Sequence, residues 1–149
     1  MSMIIPLHLF AAIIWIGGMF FSLFILRPAC IENLEGPFRI KLMRGVMERF
    51  FKVVWILVIT LATSGYFVVS QMDGLPWHVK MMLIFGNTMF AIFLFAYFVP
   101  FRQFNTELLA GNNAAAAKKL DFVRKLILTN FVLGAMLSMG GALGRFVAL

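Results

Sequence analysis

Four stretches of about 20 or more mostly apolar residues, near 3–26, 50–72, 76–100 and 126–149, are separated by two long, more polar connections and one short turn. A transmembrane helix needs about 20 apolar residues to cross a hydrocarbon core of about 30 Å. In lipid the backbone must satisfy its own hydrogen bonds, which leaves helices or closed barrels. Runs this long and continuous select helices. The chain is 62% hydrophobic and 13% charged, against about half apolar and a quarter charged in soluble domains. A soluble domain of 149 residues cannot hide that much apolar surface. The expected fold is therefore all-α: a four-helix transmembrane bundle of up-down topology, forming one integral membrane domain over residues 1–149 in a lipid bilayer.

The termini of the spans carry local signals. Pro6 falls in the first turn of the first span, where its missing N–H costs nothing. Pro100 is expected to stop the third. The first span lacks a basic leading region and a cleavage site, so it reads as a retained helix. Phe38, Leu42 and Val46 alternate with Arg39, Arg44 and Glu48 between the first two spans. This pattern predicts a short amphipathic helix at headgroup level. Gly111-Asn112-Asn113 is a turn signal, with Asn113 placed to cap a helix running into the fourth span.

Charge sets the orientation. Eleven of the 13 Lys and Arg residues flank the first and third connections, leaving Lys80 and Arg145 on the other side. By the positive-inside rule both basic connections are cytoplasmic. The expected location is the bacterial inner (plasma) membrane, multi-pass, with N- and C-termini periplasmic. The net charge of +7 is explained by this asymmetry rather than by a basic binding face, so no nucleic-acid role is expected. Cys30 is the only cysteine, which excludes an intrachain disulfide and a CxxCH haem attachment.

Ionisable groups inside spans cost about 2.5–3.5 kcal/mol at mid-membrane, so they are where function is sought. The chain has two histidines, His8 and His78, each near the start of an inward-running span. Tyr66 and Arg145 lie near the ends of the two outward-running spans. All four fall in the outer layer of the bundle. In an up-down arrangement the first and third spans are diagonal, about 11–14 Å apart, which suits two imidazoles with a metal between them. Imidazole accepts iron, copper and zinc alike.

Asn130, Gly134, Ser138, Gly141 and Arg145 form one small, polar face ending in a guanidinium. Small residues permit either close packing or room for a flat ligand. A porphyrin with propionates on Arg145 fits the second use. Each histidine alone also fits an interfacial residue solvated by headgroups. Lys80 lies about 200° round the helix from His78, so a third helix turning Lys80–Asn87 inward would point His78 at lipid. Eleven methionines raise Cu(I) binding, although methionine also fills apolar space well.

The segment His8-Leu9-Phe10-Ala11-Ala12-Ile13-Ile14-Trp15-Ile16-Gly17-Gly18-Met19-Phe20-Phe21, followed by Leu26-Arg27-Pro28, resembles the start of the small CopD-family membrane proteins. Arg44-Gly45-Val46, Arg49-Phe50-Phe51, Thr63-Ser64-Gly65-Tyr66, His78 and Gly144-Arg145 extend the likeness over nearly the whole chain. The family name implies copper transport or copper resistance. The chain is also distantly similar to the HemJ-type protoporphyrinogen oxidases, b-type haem proteins with a histidine ligand. It carries Phe21-Ser22-Leu23 where those have an aromatic-Pro-Arg run.

The resulting expectation is a haem b protein with iron held by His8 and His78, a propionate on Arg145 and Tyr66 lining the pocket. Electron transfer or oxidoreduction at the periplasmic side would follow. The alternatives are copper as cofactor or cargo, and a structural role as a subunit of a larger membrane complex or homo-oligomer.

Overall fold

The computed structural model describes residues 3–147, with side chains over residues 3–143. Four helices account for almost all of it: α1 (Ile4–Asn33), α2 (Gly36–Ser70), α3 (Trp77–Leu109) and α4 (Asn113–Val147). All four are long and apolar enough to cross a membrane. This is the all-α bundle expected of a multi-pass membrane protein.

The helices run well past the sequence-read spans. At 1.5 Å per residue, the 35 residues of α2 reach about 52 Å, against about 30 Å of hydrocarbon. The excess collects at the end where the cations lie, called here the basic end. The amphipathic segment from Gly36 forms no separate surface helix but the first turns of α2 itself. The stripe singled out in the sequence is not the buried side: Phe38 and Leu42 are exposed, while Ile40, Met43 and Met47 on the other side of this stretch meet a core that includes Phe104, Ala116 and Val123. Burial against protein replaces the burial at headgroups that a lone amphipathic helix would need.

Proline stops neither α1 nor α3. In α1 the segment Phe21–Leu26 widens to π-helical spacing just before Pro28, and in α3 Tyr97–Phe101 does the same around Pro100. A proline ring clashes with the carbonyl four residues back and donates no hydrogen bond. A π-turn, with its i→i+5 bonding, lets the ladder continue across such a gap. At the start of α4 the capping bond comes from Asn112, whose Oδ1 accepts from the Ala115 N–H at 3.2 Å. Asn113 is already the first helical residue.

Around the bundle, α1 lies against α2 on one side and α4 on the other, and α4 lies against α3. The seam between α2 and α3 is filled by rings. Trp55 meets Phe93 edge-on at 5.1 Å, and Phe51 meets Phe101 at 4.7 Å. Across the α1–α3 diagonal, Trp15 stacks on Phe90 at 6.0 Å. The middle of the bundle is thereby closed, while its lipid-facing sides carry exposed Phe10, Ile13, Ile56 and Val132.

Candidate functional site

The buried positions of each helix fix which way its histidine turns. In α1 these are Ala11, Trp15 and Met19. His8 precedes Trp15 by seven residues, which brings it within about 20° of the same face. In α3 the buried positions are Met89, Phe93 and Ala96. His78 precedes Met89 by eleven residues, again within about 20°. The competing stripe of Lys80, Ile84 and Asn87 is exposed. Both histidines therefore sit on the inward sides of diagonal helices, each half-buried. His8 is four residues into its helix and His78 one.

The neighbours of the two differ. His8 packs against α2, where a Cβ built on Gly65 would come within 3.3 Å of its ring. Its Nδ1 lies 2.7 Å from Ser64 Oγ. That hydroxyl also sits 2.5 Å from the Thr60 carbonyl and 3.3 Å from that of Leu61, neither of which can donate. Serine has one proton to give. With that proton on Thr60 O, the oxygen accepts from His8, and Nδ1 carries the imidazole hydrogen. Nε2 is then left with its lone pair, and no bond to it occurs among the described residues. His78 has a T-shaped contact with the neighbouring Trp77 ring and no side-chain hydrogen bond among the described residues. One turn further along the same face, Met82 reaches over Gly141 of α4.

Tyr66 points to α3, donating its hydroxyl to Asn87 Oδ1 at 2.8 Å, while its ring is half exposed. It ties two helices together rather than approaching either histidine's known partners. The side chain of Arg145 lies outside the described residues. On the small-residue face of α4, Asn130 is buried and donates to the Met89 carbonyl at 3.1 Å, locking α4 to α3. Its Oδ1 has no partner among the described residues. Gly134 receives Ile16 and Met89 so closely that an added Cβ would stand 3.0 and 3.1 Å from them. At this level the small face serves close packing. Nearer the termini packing is mixed: Gly65 and Gly141 meet His8 and Met82 closely, while Gly86 and Gly140 have nothing within 4 Å of an added Cβ.

No group of three or more potential His, Cys, Asp or Glu ligands occurs among the described residues. Sequence reading missed Ser64 as the partner that orients His8. Its signal was a small polar residue in register with Leu57 and Leu61, which are buried on α2. Against known proteins, the chain matches no family model, no curated protein and no solved structure.

Proposed function

We infer that the chain is a b-type haem membrane protein, using the layer nearest its termini for electron transfer or for oxidoreduction of a porphyrin-like or quinone-like substrate. The bond from His8 to Ser64 carries this reading. A metal-ligating histidine characteristically gives its other ring N–H to a hydrogen-bond acceptor, which fixes the tautomer and the ring's direction. His8 has that arrangement inside an apolar span, where an imidazole without a use is costly.

The donor set fits haem: His8 Nε2 and the imidazole of His78 would hold its iron. Arg145 would pair with a propionate. Tyr66 would stand at the rim, beyond its bond to Asn87. The flexible Met82 side chain, which lies over Gly141, can swing aside to admit a flat group at this level. Haem supplies one-electron exchange at iron. The protein's part is to hold the imidazole by Ser64, to exclude water with the Trp15–Phe90–Phe93 layer beneath, and to keep a cation near the propionates. With the basic end in the cytoplasm, the site opens toward the periplasm of a bacterial inner membrane.

Copper is the second reading, and one contact favours it. Met82 follows His78 by one turn on the same face, and thioether with imidazole suits Cu(I). Protein purified in detergent after expression with ample haem separates the two. The haem reading expects a Soret band that sharpens on dithionite reduction. A colourless preparation that retains stoichiometric copper overturns it in favour of copper. A preparation with neither overturns both and leaves a structural subunit.

A further inference from the structure

At the basic end, the inner thirds of α1, α2 and α4 enclose a cavity of about 220 Å³. Three arginines from three helices line it: Arg27 after the π-turn of α1, Arg39 in the first turn of α2, and Arg124 in α4. Arg39 and Arg124 are both close enough to Arg27 to act on its charge. Like charges so placed repel. The one carboxylate on the lining, Asp121, is already engaged. Its Oδ1 takes Arg124 Nε at 2.9 Å and its Oδ2 takes Lys125 Nζ at 3.3 Å. Arg27 and Arg39 make no ion pair and no side-chain hydrogen bond among the described residues. Two half-buried guanidiniums thus converge on a space whose one carboxylate, Asp121, acts on Arg27 only at a distance, its oxygens being held by Arg124 and Lys125.

Apart from Ser22 and Cys30, the rest of the lining is apolar. Met43, Met47 and Ile127 form a floor that faces the hydrocarbon side of the stub. A site with cations at its mouth and thioether and alkyl groups below matches an anionic amphiphile. Its volume is below the about 300–1,000 Å³ of pockets that enclose drug-sized ligands, so it takes a headgroup rather than a whole lipid or a prosthetic group. Guanidinium is the cation suited to the bidentate recognition of phosphate oxygens. Basic pockets between transmembrane helices hold anionic lipid headgroups in this way.

We propose that the Arg27–Arg39–Arg124 cavity is a specific site for the phosphodiester headgroup of an anionic phospholipid, one per chain. The lipid closes the seam that the π-turn opens between α1 and the starts of α2 and α4. This inference stands apart from the haem reading, since it uses none of the same residues and lies at the opposite end of the bundle.

Full-length protein in a neutral maltoside detergent is titrated with dioleoylphosphatidylglycerol, dioleoylphosphatidylcholine or sodium phosphate, and bound lipid is counted by native mass spectrometry. Wild-type protein is expected to retain one phosphatidylglycerol at concentrations where phosphatidylcholine does not bind. Arg27→Gln with Arg39→Gln is expected to weaken that binding by about 30-fold, from about 1 kcal/mol for each cation near the membrane surface. Removing two exposed cations of the same end, Lys41→Gln with Lys118→Gln, is expected to change it less than threefold. Equal retention of the two lipids by wild-type protein, which needs no variant to fold, overturns the proposal. So does an equal loss in both variant pairs, which would mean diffuse surface charge. Displacement of the lipid by sodium phosphate at matched concentration overturns the lipid assignment in favour of a soluble oxyanion.

Discussion

The two ends of this bundle are built on opposite plans. Near the termini, charge is scarce. Single polar contacts join helices there, Ser64 to His8 and Tyr66 to Asn87, and Gly65 and Gly141 let the His8 ring and Met82 come close. At the basic end the helices outrun the bilayer and carry the one continuous core on through Phe51, Phe101 and Phe104, ringed by cations. A functional group in lipid needs only one well-held polar side chain, because nothing nearby competes with it. A stub in water and headgroups must instead be held by apolar packing, and its cations find their partners outside the protein. The first plan suits a reactive centre, and the second suits an anchor.

Substitutions sharpen that contrast, beginning with the largest effect. Phe51→Ala removes a fully buried ring that touches four other aromatic residues. It should cost about 3–5 kcal/mol, the usual range for such a truncation, read as a lowered midpoint of denaturation in detergent. Phe10→Ala, on the lipid-facing side near the termini, should leave the midpoint within about 0.5 kcal/mol. Equal effects would deny that the basic end is the anchor.

Gly134→Val is next. The added carbons run into Ile16 and Met89, and overpacking typically costs about 1–3 kcal/mol. Gly140→Ala, at a position with open space, should be neutral in the same denaturation. A smaller change is expected from Ser64→Ala. It should leave stability nearly intact while loosening the His8 ring, weakening cofactor retention about tenfold, at the low end of losses for outer partners of metal ligands. Retention unchanged from wild type would separate His8 from any ligand role. Smallest of all is Tyr66→Phe, which deletes one interhelical hydrogen bond. Such bonds average about 0.6 kcal/mol in membranes, so a shift above 2 kcal/mol would show that Tyr66 does more than tie α2 to α3.

Much of the fold was legible in the sequence because lipid imposes simple rules. Length and hydropathy identified four spans, and the inward side of each histidine follows from helical periodicity once the buried stripe is known. Helix ends were less legible. Pro100 reads as a stop and the segment from Gly36 as a surface helix, because sequence rules assume regular α-geometry and an isolated element. The π-turns before Pro28 and around Pro100, and the shared core around Phe104, remove both assumptions. In the candidate site, His8 and His78 stood out as the only histidines, whereas Ser64 looked like one small residue among many. The arginine cavity was hidden altogether. Arg27, Arg39 and Arg124 come from three separate stretches, and in the sequence they register only as a topology signal.

The account turns on His8 offering Nε2 to a metal at the sparse end. The most direct test is the reduced-minus-oxidised spectrum of haem-loaded protein in detergent, compared between wild type and His8→Gly, with and without added imidazole. The account predicts that the wild-type haem signal is lost in His8→Gly and returns when imidazole fills the space left by the ring. A His8→Gly spectrum identical to that of wild type would contradict it.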